Sequence, residues 1–132
     1  MIAADTNLVV RHLTHDDANQ TKIVERLFHE AGTRQEPIFL GQLVLAEVGW
    51  VLAAVYGLPK AVLVDAIRGL LDDPAFVVEQ RTLVEEALSL FRRGTAGFSD
   101  YLVGVVARHA GASSTFTFDR RLSRSAGFTL AR

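Results

Sequence analysis

Short runs of β-branched and apolar residues alternate with helical segments along this 132-residue chain, and that alternation constrains the fold more than any other feature. The runs are Met1-Ile2-Ala3-Ala4, Ile38-Phe39-Leu40, Phe76-Val77-Val78, Thr115-Phe116-Thr117-Phe118 and Phe128-Thr129-Leu130. Strands separated by helices pair in parallel, and a parallel sheet needs helices on both faces. The expected fold class is therefore α/β, as one domain spanning residues 1–132. The first strand is expected to be central, and it ends abruptly in Asp5-Thr6-Asn7. Ligands of open α/β sheets collect beyond the carboxyl ends of strands, which makes Asp5 the pivot of any chemistry.

Helical spacing fills the intervals. Residues 8–13 and 18–31 form two helices, with Asp16 or Asp17 capping the second and Ile23, Val24, Leu27 and Phe28 on its apolar side. Residues 42–56 are apolar on nearly every side, which predicts a helix buried all round. Residues 60–71 and 83–93 are amphipathic, and Gly97-Phe98-Ser99-Asp100 opens a helix ending near Ala110. Residues 120–125 make one or two helical turns.

Composition narrows the partners. Hydrophobic residues at 49% and charged residues at 22% are globular values. A net charge of -1 provides no general field for a polyanion, so nucleic acid would have to be held by local arginines or a metal. The absence of cysteine removes disulfides and thiolate metal sites. No apolar stretch reaches the roughly 20 residues of a bilayer span, so no membrane contact is expected. No secretory signal follows Met1, and the cytoplasm is the expected location.

Four acids stand apart from the other eleven by their settings. Asp5 and Asp119 each terminate an apolar strand, Asp100 lies in the first turn of an apolar helix, and Glu47 is the only charge in its helix. Each has a plainer alternative: Asp5 and Asp119 as helix caps, and Asp100 as an N-terminal acid favoured by the macrodipole with Ser99 as cap. Glu47 has the weakest alternative, because residues 38–58 contain no Lys or Arg to neutralise it. If the four meet at about 5 Å, each pair repels by roughly 3 kcal/mol at an effective dielectric near 20, and they must take up protons or a cation. All-oxygen ligation suits Mg²⁺ or Mn²⁺, the equipment for phosphodiester hydrolysis. His12, His15, His29 and His109 are scattered and read as surface or helix-end residues.

Met1-Ile2-Ala3-Ala4-Asp5-Thr6-Asn7, Glu47 in its apolar helix, Gly97-Phe98-Ser99-Asp100 and Thr115-Phe116-Thr117-Phe118-Asp119-Arg120 together resemble the PIN-domain family, and within it the VapC toxins of bacterial type II toxin–antitoxin pairs. The resemblance covers essentially the whole chain. It implies a PIN-like three-layer sandwich, a five-stranded parallel sheet between helices, usually homodimeric. It also implies a Mg²⁺- or Mn²⁺-dependent endoribonuclease with Asp5, Glu47, Asp100 and Asp119 as catalytic metal ligands and Thr6, Asn7 and Thr117 in support. Substrates of such toxins are structured RNAs, often tRNA or rRNA, and a cognate antitoxin silences them. The chain departs from many relatives at Gly97, where they carry a further Asp. Arg11, Arg120, Arg121 and Arg124 are phosphate-contact candidates by position. Two rival readings are a catalytically weak scaffold that binds RNA or protein, and a phosphotransfer domain, which lacks an Asp-x-Asp after the first strand.

Overall fold

The computed structural model describes residues 1–132, which divide into two compact units, Met1–Glu79 and Gln80–Arg132. The first unit contains β1 (Ile2–Ala3), α1 (Thr6–Thr14), α2 (Ala18–Thr33), β2 (Ile38–Leu40), α3 (Gln42–Ala54), α4 (Lys60–Asp72) and β3 (Phe76–Val78). Its strands form a parallel sheet in the order β1-β2-β3, with Ile2 opposite Ile38 and Ile38 opposite Phe76. Ile38 and Leu40 are buried, and Val9, Leu45, Val48, Leu52 and Ile67 complete a core from α1, α3 and α4. The second unit holds α5 (Arg81–Arg93), α6 (Phe98–His109), β4 (Thr115–Thr117), a 3₁₀ turn (Leu122–Arg124) and β5 (Phe128–Leu130). There β4 pairs in parallel with β5, Thr115 opposite Phe128. The helices α5 and α6 pack together, with Phe91 edge-on to Phe98 at 6.2 Å.

Every predicted strand and helix is present, but three expectations need correction. The parallel strands form sheets of three and two, not one of five. With only two or three residues per strand, each ladder holds few hydrogen bonds, and regular pairing is confined to strands joined by successive crossovers. Within its sheet β1 is an edge strand, and β2 is the central one; the buried Ile38 and Leu40 are what a central position requires. Finally, α3 is not buried all round. Leu45, Val48, Gly49 and Leu52 face the core, whereas Leu43 and Trp50 are 82% and 60% exposed. A uniformly apolar helix hides its inward stripe from periodicity analysis, because no polar face marks the outside.

Local capping explains the helix ends. Asp5 accepts from the Leu8 amide at 3.2 Å and opens α1, and Asp17 accepts from Gln20 at 3.0 Å and opens α2. His15, at φ 56°, closes α1 in the left-handed region by donating its amide to the Arg11 carbonyl. Gly104 is required where α6 meets β5, since a Cβ there would stand 2.6 Å from the Phe128 ring. No helix is long and apolar enough to cross a membrane.

Candidate active site and its carboxylates

The backbone turns that follow the strands place the acids. Only Ala4 separates the carboxyl end of β1 from Asp5, which caps α1, so the acid stands where the strand gives way to the helix. Its Oδ1 holds the Leu8 amide and its Oδ2 is uncommitted. One residue on, the Thr6 hydroxyl donates to Glu47 Oε2 at 2.9 Å, and so joins α1 to α3 and brings Glu47 beside the residue that follows Asp5. Glu47 is exposed, not buried as expected; it lies on the outer side of α3, where solvent and the Thr6 hydroxyl meet its charge without a base. Asn7 is exposed, makes no hydrogen bond through its amide, and faces a groove between α1 and α2 rather than the acids.

In the second unit Asp100 turns back on its own helix and accepts from the Gly97 amide at 3.2 Å. The N-cap of α6 is Gly97, not Ser99, and Asp100 does the capping because glycine offers no side chain. Asp119 follows β4, and its Oδ1 accepts from the amides of Arg121 at 2.8 Å and Leu122 at 3.0 Å. Its own amide donates to Thr117 Oγ1 at 3.0 Å, which pins the carboxylate's backbone to the strand.

Asp5 and Asp119 therefore act as caps, and Asp100 is a first-turn acid with Gly97 in place of Ser99 at the cap, but these roles do not use up the carboxylates. Asp5, Asp100 and Asp119 each commit one oxygen to a backbone amide and leave the other free, and Glu47 commits one to Thr6. None of the four forms an ion pair with a basic side chain. A cap fixes the rotamer, so the second oxygen is held in a set direction at no further entropy cost. Such an all-oxygen set suits a hard divalent cation. Within neither unit do three His, Asp or Glu side chains gather closely enough to hold an ion.

The family model of the PIN domain matches residues 2–127. The chain belongs to the PIN-domain family. It is also similar to the VapC ribonuclease of Aquifex aeolicus (strain VF5), 24% identical over 120 residues that make up 91% of this chain and 88% of that protein. No solved structure matches it.

This PIN domain contains polar clusters that its sequence did not disclose. Arg11 is not free to meet phosphate: it donates to Gln20 at 2.7 Å, to Asp16 at 3.0 Å and to the Tyr56 hydroxyl at 3.0 Å. Tyr56 in turn donates to Asp16 at 2.6 Å. The cluster ties the far end of α1 to the segment after α3, while Thr6 and Glu47 tie the near ends. Arg120, Arg121 and Arg124 are exposed and unpaired through their side chains. His12 lies in the last turn of α1, as a helix-end residue, and is half-buried there, bonded to Glu25 at 2.8 Å and packed edge-on against Phe28 and Phe76. His109 and Arg108 share Glu86.

The Tyr56 hydroxyl, and after it that of Thr14, holds Asp16 below the usual carboxylate range, and the Tyr56 hydrogen bond is also the first cause of a raised Arg11. A carboxylate whose folded pKa is depressed stabilises the fold above its unfolded pKa and loses that contribution as pH falls through the folded value. Stability of the wild type is thus expected to fall as pH drops below about 4. In Tyr56→Phe that acid limb becomes shallower. Urea midpoints measured across acid pH check this, and identical pH profiles would contradict it.

Proposed function

We propose that the chain is a Mg²⁺- or Mn²⁺-dependent endoribonuclease of the VapC type. It hydrolyses RNA phosphodiester bonds, of tRNA or rRNA, and inhibits translation in the cytoplasm until a cognate antitoxin protein neutralises it. The observation that carries the reading is the donor set: four carboxylates, exposed at Asp5, Glu47 and Asp119 and half-buried at Asp100, each with an oxygen to spare and none neutralised by a base. Family membership and the similarity to a VapC ribonuclease support it. Because the family model runs through both units, we treat residues 1–132 as one functional PIN domain.

In this reading Asp5, Glu47, Asp100 and Asp119 are the catalytic ligands of the ion. A divalent ion supplies Lewis acidity toward a phosphodiester oxygen and toward water. The remaining work belongs to the protein. Thr6 orients Glu47 through its hydroxyl and Thr117 anchors the backbone of Asp119, while Asn7, assigned a supporting role by its place in the Asp5-Thr6-Asn7 motif, turns its amide to the groove between α1 and α2. Arg120, Arg121 and Arg124 follow Asp119 with free guanidinium groups that suit phosphate oxygens. The exposed Leu43, Trp50, Val55 and Val62 provide apolar area for a second copy of the chain, which supports a homodimer.

A second reading keeps the fold as a scaffold that binds RNA or a protein without efficient catalysis. It is favoured by Gly97, which stands where the family resemblance implies a further acid in many relatives, and by the lack of three gathered ligands within either unit. One experiment separates the two. With a structured RNA, cleavage is expected to stop when a chelator strips divalent ions and to return with Mn²⁺ or Mg²⁺. Cleavage that survives chelation, or a Mn²⁺ titration without saturable binding, would reject the metal-dependent nuclease.

A further inference from the structure

Glu79 closes β3 as Asp5 closes β1, and its side chain does something no other acid in the chain does. Its amide donates to the Leu40 carbonyl at 2.9 Å, which locks its backbone to the central strand. Its Oε1 then accepts from the Gln42 amide at 2.8 Å, the first amide of α3. Gly41, at the N-cap of α3, has no side chain, so the first turn of the helix has no local cap. The helix that carries Glu47 is therefore capped from 37 residues away by a carboxylate built on the sheet. Glu79 also lines, with Asp5, a groove of about 440 Å³ along the carboxyl ends of the strands.

We infer that Glu79 is a positioning residue: it fixes the first turn of α3 against β2 and through it sets where Glu47 meets Thr6. The inference rests on the nuclease reading only for its functional consequence. Two properties of the cap can be separated. An acceptor oxygen supplies the hydrogen bond, and a negative charge complements the helix dipole. Glutamine keeps the first and removes the second, whereas alanine removes both.

The test compares Glu79→Gln and Glu79→Ala with the wild type by three readouts on the whole chain. Amide exchange at Gln42 and the side-chain chemical shifts of Glu47 and Thr6 report the anchor itself. Both are expected to change in Glu79→Ala and to stay near wild type in Glu79→Gln. Binding of Mn²⁺ alone, followed by electron paramagnetic resonance, should weaken roughly tenfold in Glu79→Ala, as for a residue that orients a ligand. The value of kcat should fall in step with KM for RNA nearly unchanged, and Glu79→Gln should recover most of both. Unchanged Glu47 and Thr6 shifts in Glu79→Ala would overturn the inference, as would a Glu79→Gln variant as impaired as Glu79→Ala. A wild type that binds no Mn²⁺ rejects the nuclease reading instead, and the exchange and shift data still decide the role of Glu79.

Discussion

Asp5→Asn is expected to reduce divalent-dependent RNA cleavage at least about 100-fold, beyond the 10–100-fold typical of residues that merely orient a ligand. The substitution is informative because of what it preserves. Asp5 opens α1 by accepting the Leu8 amide, and asparagine is as good a helix cap as aspartate. The fold should therefore survive while the negative charge disappears. Thermal unfolding of the variant should be close to wild type, with cleavage of a structured RNA measured on the same preparation. Full cleavage by Asp5→Asn would remove Asp5 from the machinery. Asp5→Ala would be a poorer choice, since it removes cap and charge together and a loss of activity could then come from a frayed α1.

Leu45→Ala should have the largest effect on stability, about 2–5 kcal/mol. Leu45 is fully buried on the inward side of α3, with Val48 and Leu52 on the same side. Truncation leaves a cavity that the rigid sheet cannot close. The opposite side of the same helix makes the control: Leu43→Ala, at a position 82% exposed, should cost far less. Urea unfolding of both variants tests the direction in which α3 faces. Equal losses would mean that the outer side of the helix is also covered in solution, as a second copy of the chain would do.

Much of the architecture was legible along the chain because the signals are local. Gly41 and Gly57 bracket α3, Asp17 caps α2, and Pro59 precedes α4, so the residues that start and stop each element lie within a turn of it. Asp5 and Asp119 could be singled out by a strand-then-acid pattern. The same pattern in Phe76-Val77-Val78-Glu79 marks Glu79, although nothing near it in sequence reveals that its partner is Gln42. Glu47 is exposed where the sequence implies burial, for a related reason. An acid in an otherwise apolar helix carries no local mark of which side faces water.

What sequence alone determined was the order and type of the elements, the family, and the candidate acids, since each depends on residue chemistry and on spacing within one or two turns. Only the tertiary structure decided the pairing of Thr6 with Glu47, the capture of Arg11 by Asp16 and Tyr56, the division of the strands into sheets of three and two, and the capping of α3 by Glu79. Those contacts join residues tens of positions apart. They depend on where helices settle against a sheet, and a hydrogen bond of about 3 Å discriminates far more finely than any periodicity can.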